Sequence, residues 1–248
     1  MTLDLKDKKV LIISPHPDDE VIGCGGLIAK CKKLNSDVKV VYMCTGESRQ
    51  LVSGSTDSDS RVNEINQVSS YGNFKYQIIF ENKYFVELDS IPQKKIVDPI
   101  EDIIEEFKPS IILIPHGESY NQDHRATFTA CITALRPIPS NLRHFVDTVL
   151  IYEEPYAWTI KDMFKPNIYL NTEDIEDEKV KLMMLHKSQD RPFPFARSGE
   201  NLIARMRIRG SEVGLKSAEA YTILRGSMKW ISLQLFQENG VKILFSTW

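Results

Sequence analysis

Short β-branched runs alternate with longer amphipathic stretches over the first 150 residues. Residues 10–14 read as a buried strand, followed by a helical pattern over 19–34 with Val21, Gly25, Ile28 and Lys32 on one stripe. Strands are predicted at 38–43, 77–80, 111–114 and 148–152. Helices are predicted at 60–71, closed by Gly72 as a C-terminal cap, and at 91–107, where Ile96, Ile100, Ile103 and Phe107 share a face and Pro99 kinks or restarts the helix. Phe128, Cys131, Ile132 and Leu135 mark one more amphipathic helix. Residues 45–60 are polar and read as a loop, long enough to hint at function.

Strands alternating with helices imply right-handed βαβ units and a mostly parallel sheet. The expected fold is therefore a Rossmann-like three-layer α/β sandwich with strand order 3-2-1-4-5. Beyond residue 152 the pattern is less regular, with helices expected at 173–186 and 199–209 and a Pro/Phe-rich loop at 191–197. No linker stands out. The expected organisation is one domain over 1–248, with a core at 1–152 and a C-terminal extension at 153–248.

The chain has 248 residues, a net charge of −3 and 42% hydrophobic residues. That composition excludes disordered and fibrous classes, and it shows no basic excess of the kind that binds nucleic acid or anionic membranes. The N-terminus lacks the apolar region of a signal peptide, and the apolar runs are far below the ~18 residues of a membrane span. A cytoplasmic location is expected, and oligomerisation is possible. Cys24, Cys31, Cys44 and Cys131 form no CxxC pair and read as buried reduced thiols.

Two segments carry the candidate chemistry. Ser14-Pro-His-Pro-Asp-Asp-Glu20 follows the first strand, and His116-Gly-Glu-Ser-Tyr-Asn-Gln-Asp-His-Arg125 follows the fourth. The expected order makes these strands neighbours, so His16, Asp18, Asp19, Asp123 and His124 converge at the topological switch point. A His and a carboxylate from one loop plus a His from the other form a three-ligand zinc site with an open position, leaving a carboxylate to act as base on the bound water. Read alone, Asp18 and Asp19 are also plausible helix caps and His124 an ordinary first-turn residue. Gly23, Gly25 and Gly26 lack GxGxxG spacing and read as close helix packing rather than dinucleotide binding.

Pro-His-Pro-Asp-Asp-Glu at 15–20 resembles the signature of the LmbE-like, or PIG-L-type, N-acetylglucosaminyl deacetylase family. Thr45-Gly-Glu47, Arg61-x-x-Glu64, Asn121-Gln-Asp-His-Arg125, His186-Lys-Ser-Gln189 and Arg209-Gly…Gly214…Ala218-Glu-Ala-Tyr221 resemble further family markers, in the family's order. The resemblance implies a zinc-dependent hydrolase that removes acetyl from an N-acetylated sugar. It implies His16, Asp19 and His124 as zinc ligands, Asp18 as general base, Asp123 as the residue orienting the site and Arg61 as a substrate residue. Many members carry a histidine where this chain has Asn121. Asparagine can donate to an oxyanion but cannot transfer a proton, so Asp18 recycling its proton to the leaving amine is the simplest route.

Rival expectations are an Arg61–Glu64 surface ion pair, a non-haem iron oxygenase on the same ligands, a magnesium phosphotransferase using Asp18, Asp19 and Glu20, and a non-catalytic sugar-binding module. His116 reads as a rim residue, His144 as solvated and His186 as structural. Phe193 and Phe195 are expected to pack on the surface.

Overall fold

The computed structural model describes residues 5–46, 48–50, 54–155 and 159–226. In chain order the elements are β1 (Lys9–Ser14), α1 (Asp19–Leu34), β2 (Asp37–Tyr42), β3 (Ser48–Gln50), β4 (Gly54–Thr56), α2 (Ser58–Gly72), β5 (Lys75–Ile78), α3 (Gln93–Phe107), β6 (Ile111–Ile114), α4 (Gln122–Ala134), β7 (Thr148–Tyr152), β8 (Ile168–Asn171), α5 (Glu176–Leu185), α6 (Gly199–Ser211) and β9 (Ala218–Arg225). The main sheet runs β5-β2-β1-β6-β7-β9-β8. Its first five strands are parallel and have the expected 3-2-1-4-5 order. β9 then pairs antiparallel with β7, and β8 with β9.

Period-two alternation sorts the strand residues between two apolar layers. Val10 and Ile12 of β1, Val38 and Val40 of β2 and Leu113 of β6 join the cluster shared with α1, α2, α5 and α6. Leu11, Ile13, Val41, Ile112 and Ile114 face the opposite way, onto α3 and α4. Both faces are covered, which is why the central residues of β1 and β6 are apolar on both sides of the sheet. All four cysteines are free and buried. Burial pushes the Cys31 thiol up to about 12, so it stays protonated and unreactive.

Several local expectations are corrected. Gly72 is the last helical residue of α2, and the left-handed cap is Asn73 at φ 54°; asparagine tolerates that conformation, and a Cβ on Gly72 would press on Phe74. The 45–60 segment is not a plain loop, since β3 and β4 form an antiparallel ribbon within it. α3 continues through Pro99. The third parallel strand begins at Lys75 rather than 77, and β8 and β9 have no counterpart in the expected element list. His144 is not simply solvated: its Nε2 lies 2.8 Å from the Pro109 carbonyl oxygen. Phe193 and Phe195 remain largely exposed instead of packing down.

The α1 glycines serve close packing, as expected. Buried Lys179 donates to the Ile22 carbonyl (2.7 Å) and to Glu219 Oε1 (2.7 Å). Glu219 accepts the amides of Gly26 and Leu27 at 2.6 and 2.8 Å. A carboxylate can approach a helix backbone this closely only where side chains are missing. A Cβ on Gly26 would sit 2.8 Å from Glu219 Cδ and 2.9 Å from Thr172 Cγ2. Gly26→Ala is therefore expected to lower unfolding stability by ~1–3 kcal/mol through overpacking, despite the gain of ~1 kcal/mol in helix propensity. Denaturant unfolding measures the balance, and a stabilised variant would contradict this packing account.

Candidate metal centre and its surroundings

Three adjacent strands deliver the site. The carboxyl end of β1 leads through Pro15–Pro17 into the first turn of α1, bringing His16, Asp18, Asp19 and Glu20. The carboxyl end of β6 leads to the first turn of α4, bringing Asp123 and His124. β7 ends immediately before Glu153 and Glu154. Ser14 Oγ donates to the His16 carbonyl at 2.7 Å, and Arg61 donates to the Pro17 carbonyl at 2.9 Å. Proline rings and these two bonds pin the 15–18 turn.

His16, Asp19 and His124 are buried and offer ligand atoms that all lie within 4.8 Å of one another. Asp19 Oδ2 is 3.1 Å from His124 Nε2 and 3.5 Å from His16 Nδ1. The far nitrogen of each imidazole is held by another buried carboxylate. His16 Nε2 is 2.8 Å from Asp123 Oδ2, and His124 Nδ1 is 2.7 Å from Glu154 Oε1. Asp123 also accepts the amides of Val86 (2.7 Å) and Leu88 (3.0 Å), while Glu154 Oε2 accepts the Ser119 hydroxyl (2.6 Å). A carboxylate on the far nitrogen fixes ring orientation and raises the basicity of the near one, the arrangement typical of metal-binding histidines.

The electrostatics point the same way. Burial alone would raise Asp19, yet the His124 and His16 imidazoles hold it well below the usual carboxylate range. Burial alone would lower His124, and Asp19 and Glu154 outweigh it and hold it well above its ordinary value. The pocket thus favours positive charge at the point where the three side chains meet. Nitrogen and carboxylate donors with this spacing suit zinc and other divalent transition metals.

Asp18 stands beside this cluster, buried, with backbone φ 112° and ψ −30°. Non-glycine residues hold such conformations at a cost of order 1–3 kcal/mol, and they cluster at functional sites. Burial raises the Asp18 carboxyl above its ordinary value, against the pull of Arg197, whose Nε lies 3.1 Å from Oδ2.

Arg61 is not half of a surface pair. It is 2% exposed; it packs over Phe85 and has one edge on the Pro17 carbonyl, while its Nε has no protein partner. Glu64 instead accepts the amide and hydroxyl of Ser188, each at 2.7 Å. Asn121 caps α4, its Oδ1 accepting the Asp123 amide at 2.9 Å, which leaves its NH₂ as a donor. Gly46, at φ 38°, makes room for Phe85, which packs edge-on against the His16 ring. Glu47 of the same motif lies outside the described residues. His116 packs against the edge of Phe164 at the rim.

Glu154, Arg197 and Phe85 are the site residues that sequence reasoning misses, and Glu20, read there only within the signature segment, is the acceptor of the Asp18 amide. One signal for Glu154 was present: an acidic pair directly after a buried strand that neighbours β6. Glu154→Ala is expected to weaken metal affinity by about 10–100-fold, the usual loss for a group orienting a ligand. Competition against a metal-binding dye measures it, and unchanged affinity would remove Glu154 from the site.

Residues 11–135 match the family described as PIG-L, GlcNAc-PI de-N-acetylase. A probable N-acetyl-alpha-D-glucosaminyl L-malate deacetylase of Bacillus cereus is 25% identical over 93% of this chain and 97% of its own length. The solved N,N'-diacetylchitobiose deacetylase of Pyrococcus horikoshii superposes with a TM-score of 0.69 at 23% identity, covering 94% of this chain and 91% of that one. A 4-carboxy-2-hydroxymuconate hydratase of Pseudomonas putida superposes with a TM-score of 0.66 at 18% identity, covering 89% and 97%. The two structural likenesses concern the fold, which therefore hosts more than one chemistry.

Proposed function

We propose, from the premise that this chain belongs to the PIG-L family, that it is a zinc-dependent amidohydrolase. It removes acetyl from an N-acetylated amino sugar or sugar conjugate, giving acetate and a free amine. The observation that carries this reading is the convergence of His16, Asp19 and His124 with the Asp18 carboxylate beside them.

His16, Asp19 and His124 would hold the zinc. When bound, the ion supplies a water of pKa near ~7 and polarises the substrate carbonyl. Asp18 takes the proton from the attacking water and returns it to the leaving nitrogen as the C–N bond breaks. Burial raises its affinity for the proton above the ordinary carboxylate value, the direction that a group accepting and returning a proton needs. Asn121 offers an amide donor to developing negative charge and cannot supply a proton. Arg61 offers its remaining edge to sugar hydroxyls or a phosphate. The 191–197 loop brings Arg197 to Asp18 and flanks the substrate.

Among the described residues no helix is long and apolar enough to cross a membrane. A cytoplasmic enzyme with a small-molecule substrate fits that observation and the absence of a basic excess. Residues 1–248 form one domain in this reading, since β8 and β9 of the 153–248 extension add to the same sheet as the 1–152 core. The test is acetate release from N-acetylglucosamine, N,N'-diacetylchitobiose and nucleotide-linked N-acetyl sugars, with zinc-loaded and chelated protein. Zinc-dependent acetate release from one of them supports the reading, and none from any of them overturns it.

A further inference from the structure

His186 touches none of the three ligand residues in the metal cluster, yet it is fully buried and tied to the catalytic loop. The side chain of Asp18 makes no cap bond to α1; its left-handed backbone is held through Glu20 in the first turn of α1 and, behind Glu20, by a distant segment. The Asp18 amide donates to Glu20 Oε2 at 2.9 Å, and His186 Nε2 lies 2.6 Å from Glu20 Oε1. Glu20 and His186 are both 0% exposed. On the other side of Asp18, Arg197 Nε is 3.1 Å from Oδ2, and the same guanidinium donates to Gln189 Oε1 at 2.8 Å. The Gln189 amide donates to the His186 carbonyl at 2.8 Å, which closes the circuit. Ser188 anchors the segment to Glu64, on the helix whose Arg61 holds the Pro17 carbonyl.

We propose that Glu20 and His186 are positioning residues for Asp18, a buried pair that fixes the backbone of the catalytic base and so aims its carboxylate at the reacting water. The inference rests on the reading of Asp18 as base given above. A carboxylate is required at position 20 because two donors converge on it and each takes one oxygen. A histidine suits position 186 because its Nε2–H reaches Glu20 from the end of α5 without adding a flexible chain. The pair also ties the geometry of the base to the segment that carries Arg197, so both ends of Asp18 are set by residues 186–197.

A structural role and a positioning role separate in a paired substitution. Glu20→Met with His186→Phe removes both polar partners together and leaves no lone buried charge, so the fold is retained. The Asp18 amide loses its acceptor. With zinc-loaded full-length protein and N,N'-diacetylchitobiose as probe, the paired variant is expected to keep its zinc and its KM within about threefold. Its kcat should fall about 10²-fold, the effect of misplacing a reacting group by an ångström. His186→Gln keeps a donor on Glu20 and restores most of the rate. In an Asp18→Asn background the paired substitution costs nothing further, because the group it positions is already gone. A crystal structure of the paired variant should show Asp18 out of its φ 112° conformation.

An equal fractional loss in the Asp18→Asn background overturns the inference, as does an unchanged Asp18 backbone in the paired variant. The backbone readout decides the matter even if the probe is not turned over. If Asp18→Asn itself runs at the wild-type rate, the reading of Asp18 as base fails instead, which is a distinguishable result.

Discussion

Asp18→Asn is expected to keep zinc bound and to lose about 10²–10⁴-fold in kcat, the range for a missing general acid–base group. The amide has the shape of the carboxylate and cannot accept the proton. Asparagine also tolerates positive φ, so the strained 15–18 turn survives the change. The buried carboxyl is disfavoured in its charged form, so its removal does not lower stability through lost solvation. Arg197 keeps an oxygen to face, and its second anchor on Gln189 is untouched. Kinetics of acetate release together with elemental analysis check the prediction. Loss of metal from this variant would make Asp18 a ligand and reverse the roles of the two aspartates.

His124→Ala carries the other large effect. It removes one of three ligands, so the loss of metal affinity should exceed the about 10–100-fold expected for an orienting residue. It also strips the only imidazole between Asp19 and Glu154, which lie 3.1 and 2.7 Å from its ring nitrogens. Glu154 then loses its imidazole partner, and Asp19 keeps only the more distant His16, 3.5 Å away. Breaking a buried pair in this way costs about 3–5 kcal/mol, and Asp19 should take up a proton at a higher pH than in the wild type. The variant is expected to purify without metal, to be inactive, and to unfold at lower denaturant. Chelation of the wild type separates the two effects, since activity should vanish and return with added zinc while the fold persists. Metal content near that of the wild type in His124→Ala would remove this residue from the ligand set.

Much of the molecule was legible in the chain because local periodicity carries the information. Alternating apolar runs and 3.6-residue stripes placed the five parallel strands and their helices within a few residues. The βαβ rule then ordered the strands and brought the two His/Asp loops to neighbouring strand ends. The residue types in those loops pointed to a metal site, and the family resemblance supplied the assignment of His16, Asp19 and His124 as ligands and Asp18 as base. Glycines 23, 25 and 26 were also readable, since their spacing ruled out a dinucleotide loop.

Tertiary contact alone decided the rest. β8 and β9 are part-polar and antiparallel, and they join the sheet at the edge that β7 offers. Glu154 and Lys179 look like ordinary surface residues in the chain, and Glu20, His186 and Glu219, though they fall in marker segments, show nothing there of the partners they find. A polar side chain is stable in the interior only where its partners sit, and those partners lie 30 residues away for Glu154, 166 for His186 and 40 for Lys179. Arg61 shows the same limit: three positions from Glu64 on one helix, it turns inward to the Pro17 carbonyl, 44 residues back. Sequence determined which groups could do the chemistry, because that depends on side-chain type and local spacing. Folding determined which carboxylate meets which imidazole and what surrounds Asp18, because the cost of burying a charge is set by neighbours that the chain brings from far away.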